Sequence, residues 1–533
     1  MTRTCSIQFH VNNVHNYLHV NFVAASPTKS ATLSLDTSTS SAQSDASFDD
    51  LRCATAMGVP RARLAIGAAV LVSIAAVLLE IQLYAPHLPD GVHRITGAVP
   101  RVRWDHRITK DAYVTQMEAI AAERKPIMIT NSPAAHWPAV TNWRHDEYLA
   151  THVPQLTDVV MQHGSVHRYW ALDAAFASVL DEPDDAMPRQ DMATAAMLGE
   201  LRRGERRYFS RDVTAVEGFP LADIAPRDWL FVDRHEEFNS TTLWVGGNGV
   251  STAAHYDMSH NFFIQLVGTK RFLLAPPSAH SELNLYPWLH PLGIFTSRPQ
   301  QPSLSTQPPP HPAEAAALVD AVTADLGPGD VLYLPPLWFH TAVAGSRTPS
   351  IAVNIWSSSA EADLPGLDDV PPLPTALLEP ASPLARRFTL LAVTFVALVE
   401  AALGIDGASA HAWVEAELWD GRYVRGLPES LHSRCHRAHG DCASHANAAA
   451  QWPPRADELE QVRVHAQAIA RGFAQLPRPE GVREIQLLNI MESLGAAALE
   501  VHGADETHLC VWLELLRCFG SLQQVPAGVG VGS

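Results

Sequence analysis

The chain has 533 residues, 47% of them hydrophobic, and a formal net charge of −18. That length predicts two or three folded units, and the excess of acid argues against broad nucleic-acid contact, which needs clustered Lys and Arg. Six cysteines are too few for a disulfide scaffold and leave the redox compartment open.

Residues 1–56 read as an unfolded segment, because Ser26–Ser47 is rich in Ser, Thr and Ala. Leu64–Leu79 carries no charge and only Ser73 as a polar side chain. Extended to residues 64–84 it is long enough to span a membrane. Arg61 and Arg63 precede it, and the next Lys or Arg is Arg94, after His87 and His93. This bias predicts a single-pass anchor with a cytoplasmic N-terminus and a lumenal remainder. A buried helix in a soluble cytoplasmic or nuclear protein is the competing reading.

A Pro-containing linker (Ala85–Val99) leads into a folded region over residues 100–360. Ile127–Thr130 reads as a strand; Ala171–Leu180 and Asp191–Arg203 read as helices; Arg206–Ser210 reads as another strand. Short strands follow at Leu243–Gly246, Ala253–Asp257, Phe262–Leu266, Arg271–Ala275, Val331–Leu334, Phe339–Val343 and Ser350–Trp356. Many short strands with turns between them predict a barrel or sandwich. Arg298–Pro312 reads as an exposed Pro-rich insertion and Ala313–Leu326 as a short helix. From about residue 380 to 525 the pattern is helical. Arg386–Leu403 reads as a buried helix, and the tail is expected to pack on the barrel or to form a homodimer surface.

In a strand, residues two apart share a face. His255 and Asp257 then present one imidazole and one carboxylate together. A second imidazole, with His340 the natural candidate, completes a 2-His-1-carboxylate set that leaves positions open on an iron ion. Asn261 and Asn354 are amides inside strands, where they are disfavoured unless a polar network holds them. The segment Leu431–His445 offers His432, Cys435, His436, His439, Cys442 and His445. Its spacing fits no common zinc finger; a Cys435–Cys442 disulfide, a zinc site and a plain loop all remain open.

Several stretches together resemble a known family: AHYD around His255, NFF after it, Gln265, GTKR ending at Arg271, GPGDVLY at Gly327–Tyr333 and VNIW at Val353–Trp356. They resemble the JmjC/cupin-like Fe(II)/2-oxoglutarate-dependent oxygenases, and are most similar to the asparaginyl hydroxylase that inhibits hypoxia-inducible factor. The resemblance covers roughly residues 120–360. It implies a mainly β double-stranded β-helix (cupin/jelly-roll) core with flanking α-helices. It also implies Fe(2+) on His255, Asp257 and His340, with 2-oxoglutarate and O2 as co-substrates. It places Lys270 on the distal carboxylate of 2-oxoglutarate, Thr252 and Tyr208 beside it, and Asn261 and Asn354 near the 2-oxoglutarate and an iron-bound water. Trp338, Phe339 and Trp356 are expected to wall the site. The implied activity is hydroxylation of a protein side chain; an N-methyl-lysine demethylase, a tRNA base hydroxylase or a non-catalytic binding module are the alternatives.

Overall fold

Runs of β-branched and aromatic residues cut by glycine and proline favour short strands, and the computed structural model of the protein is built on them. It describes residues 3–9, 17–24, 32–38, 93–105, 110–161, 188–232, 239–295, 319–345, 348–363, 382–439, 451–476, 480–499 and 506–522, with isolated positions 166–167, 179, 374, 377, 442, 447 and 450. The chain divides into a unit of residues 1–85 and a unit of residues 86–533.

In the first unit β1 (Arg3–Phe9), β2 (Tyr17–Ala24) and β3 (Thr32–Ser38) form an antiparallel sheet. These strands lie within the stretch read as unfolded. Their basis is alternation that the Ser/Thr content obscures: Cys5, Ile7 and Phe9 fall opposite Phe22, Val20 and Leu18. Residues 64–84, the expected membrane anchor, lie outside the described residues. Among the described residues no single helix is long and apolar enough to cross a membrane.

The second unit begins with β4 (His93–Ala98), β5 (Arg101–Arg103), β6 (Ile127–Thr130), β7 (Gln155–Met161), β8 (Val166–His167), β9 (Arg189–Ala193) and β10 (Arg207–Asp212). Eight further strands build its centre: β11 (Ser240–Gly246), β12 (Ser251–Thr252), β13 (His260–Val267), β14 (Lys270–Ala275), β15 (Val319–Leu326), β16 (Val331–Leu334), β17 (Phe339–Ala344) and β18 (Ser350–Ser357). They divide between two sheets. One runs β5-β6-β16-β13-β18-β11-β10-β7-β9 and the other β4-β15-β14-β17-β12-β8. The central four of each, β16-β13-β18-β11 and β15-β14-β17-β12, face one another as a double-stranded β-helix. Gly268 (φ 73°) turns β13 into β14, and Gly329 (φ 88°) turns β15 into β16. At Gly329 a Cβ would also lie 2.7 Å from the Ala135 Cα, so both conformation and space require glycine.

Period-two alternation sorts the side chains. Phe262, Ile264 and Leu266 of β13 with Val353 and Ile355 of β18 enter the core under the N-terminal helices. Phe263, Phe272, Leu274, Ala342 and Ala352 fill the space between the sheets. Asn261, Lys270, His340 and Asn354 share the strand parity of this second set, so the fold brings them to one interior.

Helices follow the barrel: Leu384–Leu403, Gly407–Trp413, Glu429–His439, Ala456–Gln475, Val482–Ala498 and Glu506–Arg517, with a π-helical turn at Val414–Val424. Leu384–Leu403 buries Phe388, Leu391, Phe395 and Leu398, as a core helix should. One apolar cluster joins these helices to Tyr256, Ala275, Leu337 and Phe339 of the barrel.

Four expectations are corrected. Residues 93–98 of the expected linker form β4, which pairs parallel with β15. Residues 319–326 form β15 rather than a helix, because they complete the β14 edge. The helix expected from Asp191 begins at Thr194, after β9. The cysteines pair as Cys435–Cys510 and Cys442–Cys518 rather than Cys435–Cys442. Disulfide sulfurs are not thiolate ligands, so the zinc reading loses both cysteines. The insertion Arg298–Pro312 and most of Ala171–Leu180 lie outside the described residues.

Candidate metal centre and co-substrate pocket

The expected strand Ala253–Asp257 does not form: β12 stops at Thr252, and His255 is held by isolated bridges to Phe295 and His340. The His340 bridge aligns the two imidazoles. His255 N–H donates to the His340 carbonyl at 3.1 Å, and His340 N–H donates back to the His255 carbonyl at 2.8 Å. Directly opposed residues that exchange both bonds put their side chains on one face, and the ring centroids lie 4.3 Å apart. Asp257 is fixed next to them, its carbonyl accepting from Leu337 N–H at 2.7 Å. One ligand atom each from His255, Asp257 and His340 lies within 4.8 Å of the others.

Backbone carbonyls set the imidazole tautomers. His255 Nδ1 lies 2.7 Å from the Ala253 carbonyl, and His340 Nδ1 lies 3.0 Å from the Trp338 carbonyl. A carbonyl only accepts, so each Nδ1 carries the proton and each Nε2 keeps its lone pair for a metal. His340 Nε2 is 3.4 Å from Asp257 Oδ2. Burial, then the neighbouring His340, lower the His255 pKa to about 4, and the imidazole is neutral at physiological pH. Asp257 is oriented by amides: Asn354 Nδ2 donates to Asn261 Oδ1 at 2.8 Å, and Asn261 Nδ2 donates to Asp257 Oδ2 at 3.4 Å. Two imidazoles and one carboxylate, converging and separately braced, are a donor set suited to a divalent first-row metal.

Lys270 opens β14 on the same interior. Its ammonium is 4.8 Å from the Phe263 ring centroid and 6.0 Å from that of Tyr208. Burial alone lowers its pKa to about 7. No carboxylate among the described residues offsets this cost, as a buried cation ordinarily requires; an anionic ligand would fill that role. Tyr208 lies 4.4 Å, centroid to centroid, from buried His167 on β8. Thr252 pairs with His167 in the β12–β8 register. Its hydroxyl accepts from Ala342 N–H at 3.2 Å, and its carbonyl accepts from the Thr341 hydroxyl at 2.6 Å. The hydroxyl proton of Thr252 remains to donate elsewhere.

The structure thus brings together all eight site residues read from sequence, His255, Asp257, His340, Lys270, Thr252, Tyr208, Asn261 and Asn354. Gln265 is structural: its amide donates to the Val267 carbonyl at 2.6 Å and to the Ser350 hydroxyl at 3.1 Å. Trp338 donates from Nε1 to the Arg124 carbonyl at 3.0 Å and packs against the barrel interior. Phe339 faces the helical core, and Trp356 Nε1 bonds the Thr242 hydroxyl at 3.1 Å. Two neighbours escape sequence reading, His167 and Tyr256. A two-residue strand gives His167 no periodicity, and Tyr256 lies between two ligands, on the opposite side from them.

Residues 114–362 match the model of the cupin-like domain family. Among similar proteins is Jumonji C domain-containing protein 5 of Drosophila melanogaster, 25% identical over 279 residues, or 50% of this chain and 65% of that protein. Lysine-specific demethylase JMJ30 of Arabidopsis thaliana is 29% identical over 242 residues, 44% of this chain and 50% of that one. tRNA wybutosine-synthesizing protein 4 of Neurospora crassa is 27% identical over 270 residues, 49% of this chain but 20% of that one. The matches span less than two thirds of each of these relatives. With its two facing sheets and its His-Asp-His cluster, the segment 114–362 is similar to cupin-like domains, and the proteins it resembles include ones named for a Jumonji C domain.

Proposed function

We propose that the chain is an Fe(II)/2-oxoglutarate-dependent dioxygenase that hydroxylates a protein side chain. The observation that carries this reading is the juxtaposition of the His255–Asp257–His340 cluster with the buried ammonium of Lys270, which has no carboxylate partner among the described residues, inside one barrel. His255, Asp257 and His340 would hold the iron. Lys270, with Tyr208 and Thr252, would hold the distal carboxylate of 2-oxoglutarate. When bound, these groups supply O2-dependent C–H oxidation coupled to release of carbon dioxide and succinate. The chain's own residues do the rest. Backbone carbonyls keep Nε2 of both histidines available, Asn354 and Asn261 hold the Asp257 carboxylate, and Phe263, Phe272 and Trp244 keep the pocket dry.

A demethylase is the second reading, supported by the name of the Arabidopsis relative; it uses the same oxidation on an N-methyl group and releases formaldehyde. The net charge of −18 disfavours a tRNA substrate despite the Neurospora relative. The test is incubation with Fe(II), 2-oxoglutarate and candidate proteins. Succinate formation with a product heavier by one oxygen atom supports the hydroxylase. Formaldehyde release transfers the assignment to the demethylase. Absence of iron and 2-oxoglutarate binding removes both.

A further inference from the structure

The four C-terminal cysteines are arranged as a matched set. Cys435 lies in the helix Glu429–His439 and Cys442 just beyond it; Cys510 lies in the helix Glu506–Arg517 and Cys518 just beyond it. Each spacing is close to two helical turns, so each pair of cysteines falls on one face. The bonds run in order, Cys435 to Cys510 and Cys442 to Cys518, between two helices lying side by side. The Cα–Cα separations, 4.7 and 5.0 Å, fit disulfides without backbone movement. Cys435, Cys510 and Cys518 are also buried. Burial alone fits reduced cysteines equally well, but two bridges in helical register do not follow from burial.

The distribution of cysteines along the chain is a second observation. Six are present, at positions 5, 53, 435, 442, 510 and 518. All four that follow the apolar segment 64–84 are paired. The other two, Cys5 and Cys53, precede it. Stable disulfides belong to oxidising compartments and are rare where glutathione keeps thiols reduced. Arg61 and Arg63 precede the apolar segment, and the charge rule assigns the arginine-bearing side of a membrane-spanning segment to the cytoplasm.

We propose that the cupin-like domain and its C-terminal helices work in an oxidising compartment, the secretory lumen, with both disulfides formed, and that residues 1–63 face the reducing cytoplasm. Each bridge forms when a thiol pair gives up two protons and two electrons to the disulfide of a thiol–disulfide oxidoreductase, which leaves as a dithiol. If the hydroxylase function proposed above holds, the substrate is a protein passing through the same lumen. The disulfide assignment itself does not depend on that activity.

The experiment uses the full chain expressed in eukaryotic cells. Free thiols are trapped with N-ethylmaleimide at lysis, and peptides are mapped without reduction. The expected result is two cross-linked peptide pairs, 435 with 510 and 442 with 518, and alkylated Cys5 and Cys53. In parallel, sealed microsomes are treated with protease. Residues after 84 should be protected, and a tag at the N-terminus should be digested. Alkylation of all four C-terminal cysteines, a different pairing, or digestion of the catalytic region in sealed microsomes overturns the proposal. Both readouts are independent of turnover, so an inactive preparation with these linkages would sink only the hydroxylase reading.

Discussion

Asn489, on the C-terminal helix Val482–Ala498, donates from Nδ2 to the hydroxyl of Tyr256, 3.3 Å away. Tyr256 separates two ligands of the candidate metal centre, and its ring meets Phe339, the neighbour of the third, edge to face at 5.7 Å. Asn489 Oδ1 in turn accepts from Arg422 Nη1 at 3.0 Å, and Arg422 is ion-paired with Glu492. Tyr423 donates to Glu492 Oε2 at 2.8 Å and accepts from Trp512 Nε1 at 2.8 Å. A buried polar chain therefore runs from the disulfide-bearing helix to the loop that carries the ligands. Tyr256→Phe should cost about 1 kcal/mol, the net worth of one hydrogen bond. Asn489→Leu leaves Arg422 short of a partner and should cost about 2–3 kcal/mol. Both should also weaken iron binding, read by anaerobic titration beside thermal melts. Unchanged iron affinity in both variants would show that the chain only stabilises the fold.

Asp257→Ala removes the one anionic ligand, and metal occupancy and turnover should both collapse. Asn354→Leu acts two bonds away, by releasing Asn261. Removal of such an outer partner ordinarily weakens metal binding roughly 10–100-fold. Iron content after dialysis should rank wild type above Asn354→Leu and Asn354→Leu above Asp257→Ala.

Lys270→Ala should retain iron and lose 2-oxoglutarate. Removing one member of a buried charge pair costs about 3–5 kcal/mol, equivalent to roughly two to four powers of ten in Kd. Lys270→Arg keeps the charge but not the shape and should rescue only in part. Normal 2-oxoglutarate affinity in Lys270→Ala would remove Lys270 from the pocket.

The same lysine predicts a pH dependence. Without ligand its pKa is lowered to about 7 by burial. A bound carboxylate favours the ammonium and raises the pKa of the complex. Binding therefore takes up a proton above pH 7. Affinity should be constant below pH 7 and fall about tenfold per unit above it, until the pKa of the complex is reached. Isothermal titration in buffers of different ionisation enthalpy measures the proton uptake directly. A flat profile from pH 6 to 9 would contradict it.

The disulfides close loops with sequence separations of 75 and 76. With one bridge intact, the other closes only a small ring of roughly 15 residues, worth about 3 kcal/mol in the chain-entropy description. Replacing one pair of cysteines by alanine should therefore destabilise less than replacing both, where a full long loop is also released, adding about 4 kcal/mol. Denaturant melts of the two double variants and the quadruple variant test the order.

The barrel was legible where alternation and turn chemistry agreed. Gly327–Gly329 marks the turn into β16, whereas the shared interior of Asn261, Lys270, His340 and Asn354 emerges only when β13 pairs with β18 and β14 with β17. Residues 319–326 misled because Val319, Ala321 and Val322 suit a helix as well as a strand, and only pairing with β14 decides between them. The spacing of His255 and Asp257 predicts a shared strand face, which is not how the structure brings them together. They converge through a bridge to His340, a contact 85 residues away in sequence that no local pattern encodes. The disulfides were missed for the same cause: Cys442 is close to Cys435 in sequence, but its partner is 76 residues distant.

The cupin-like match ends at residue 362, yet the apolar cluster beneath the ligands does not. Tyr256, Leu337 and Phe339 share their core with Phe388, Phe395 and Trp512. Arg124 is paired with Glu361, whose carbonyl is capped by the Gln486 amide. Gly481 passes so near Pro277 that a Cβ would sit 2.3 Å from its carbonyl carbon. What this chain shares by descent and what it needs in order to fold therefore have different borders. A fragment cut at the border of the match would expose the floor of the candidate metal centre to water, so the likeness of the site is local while its integrity is borrowed from the tail.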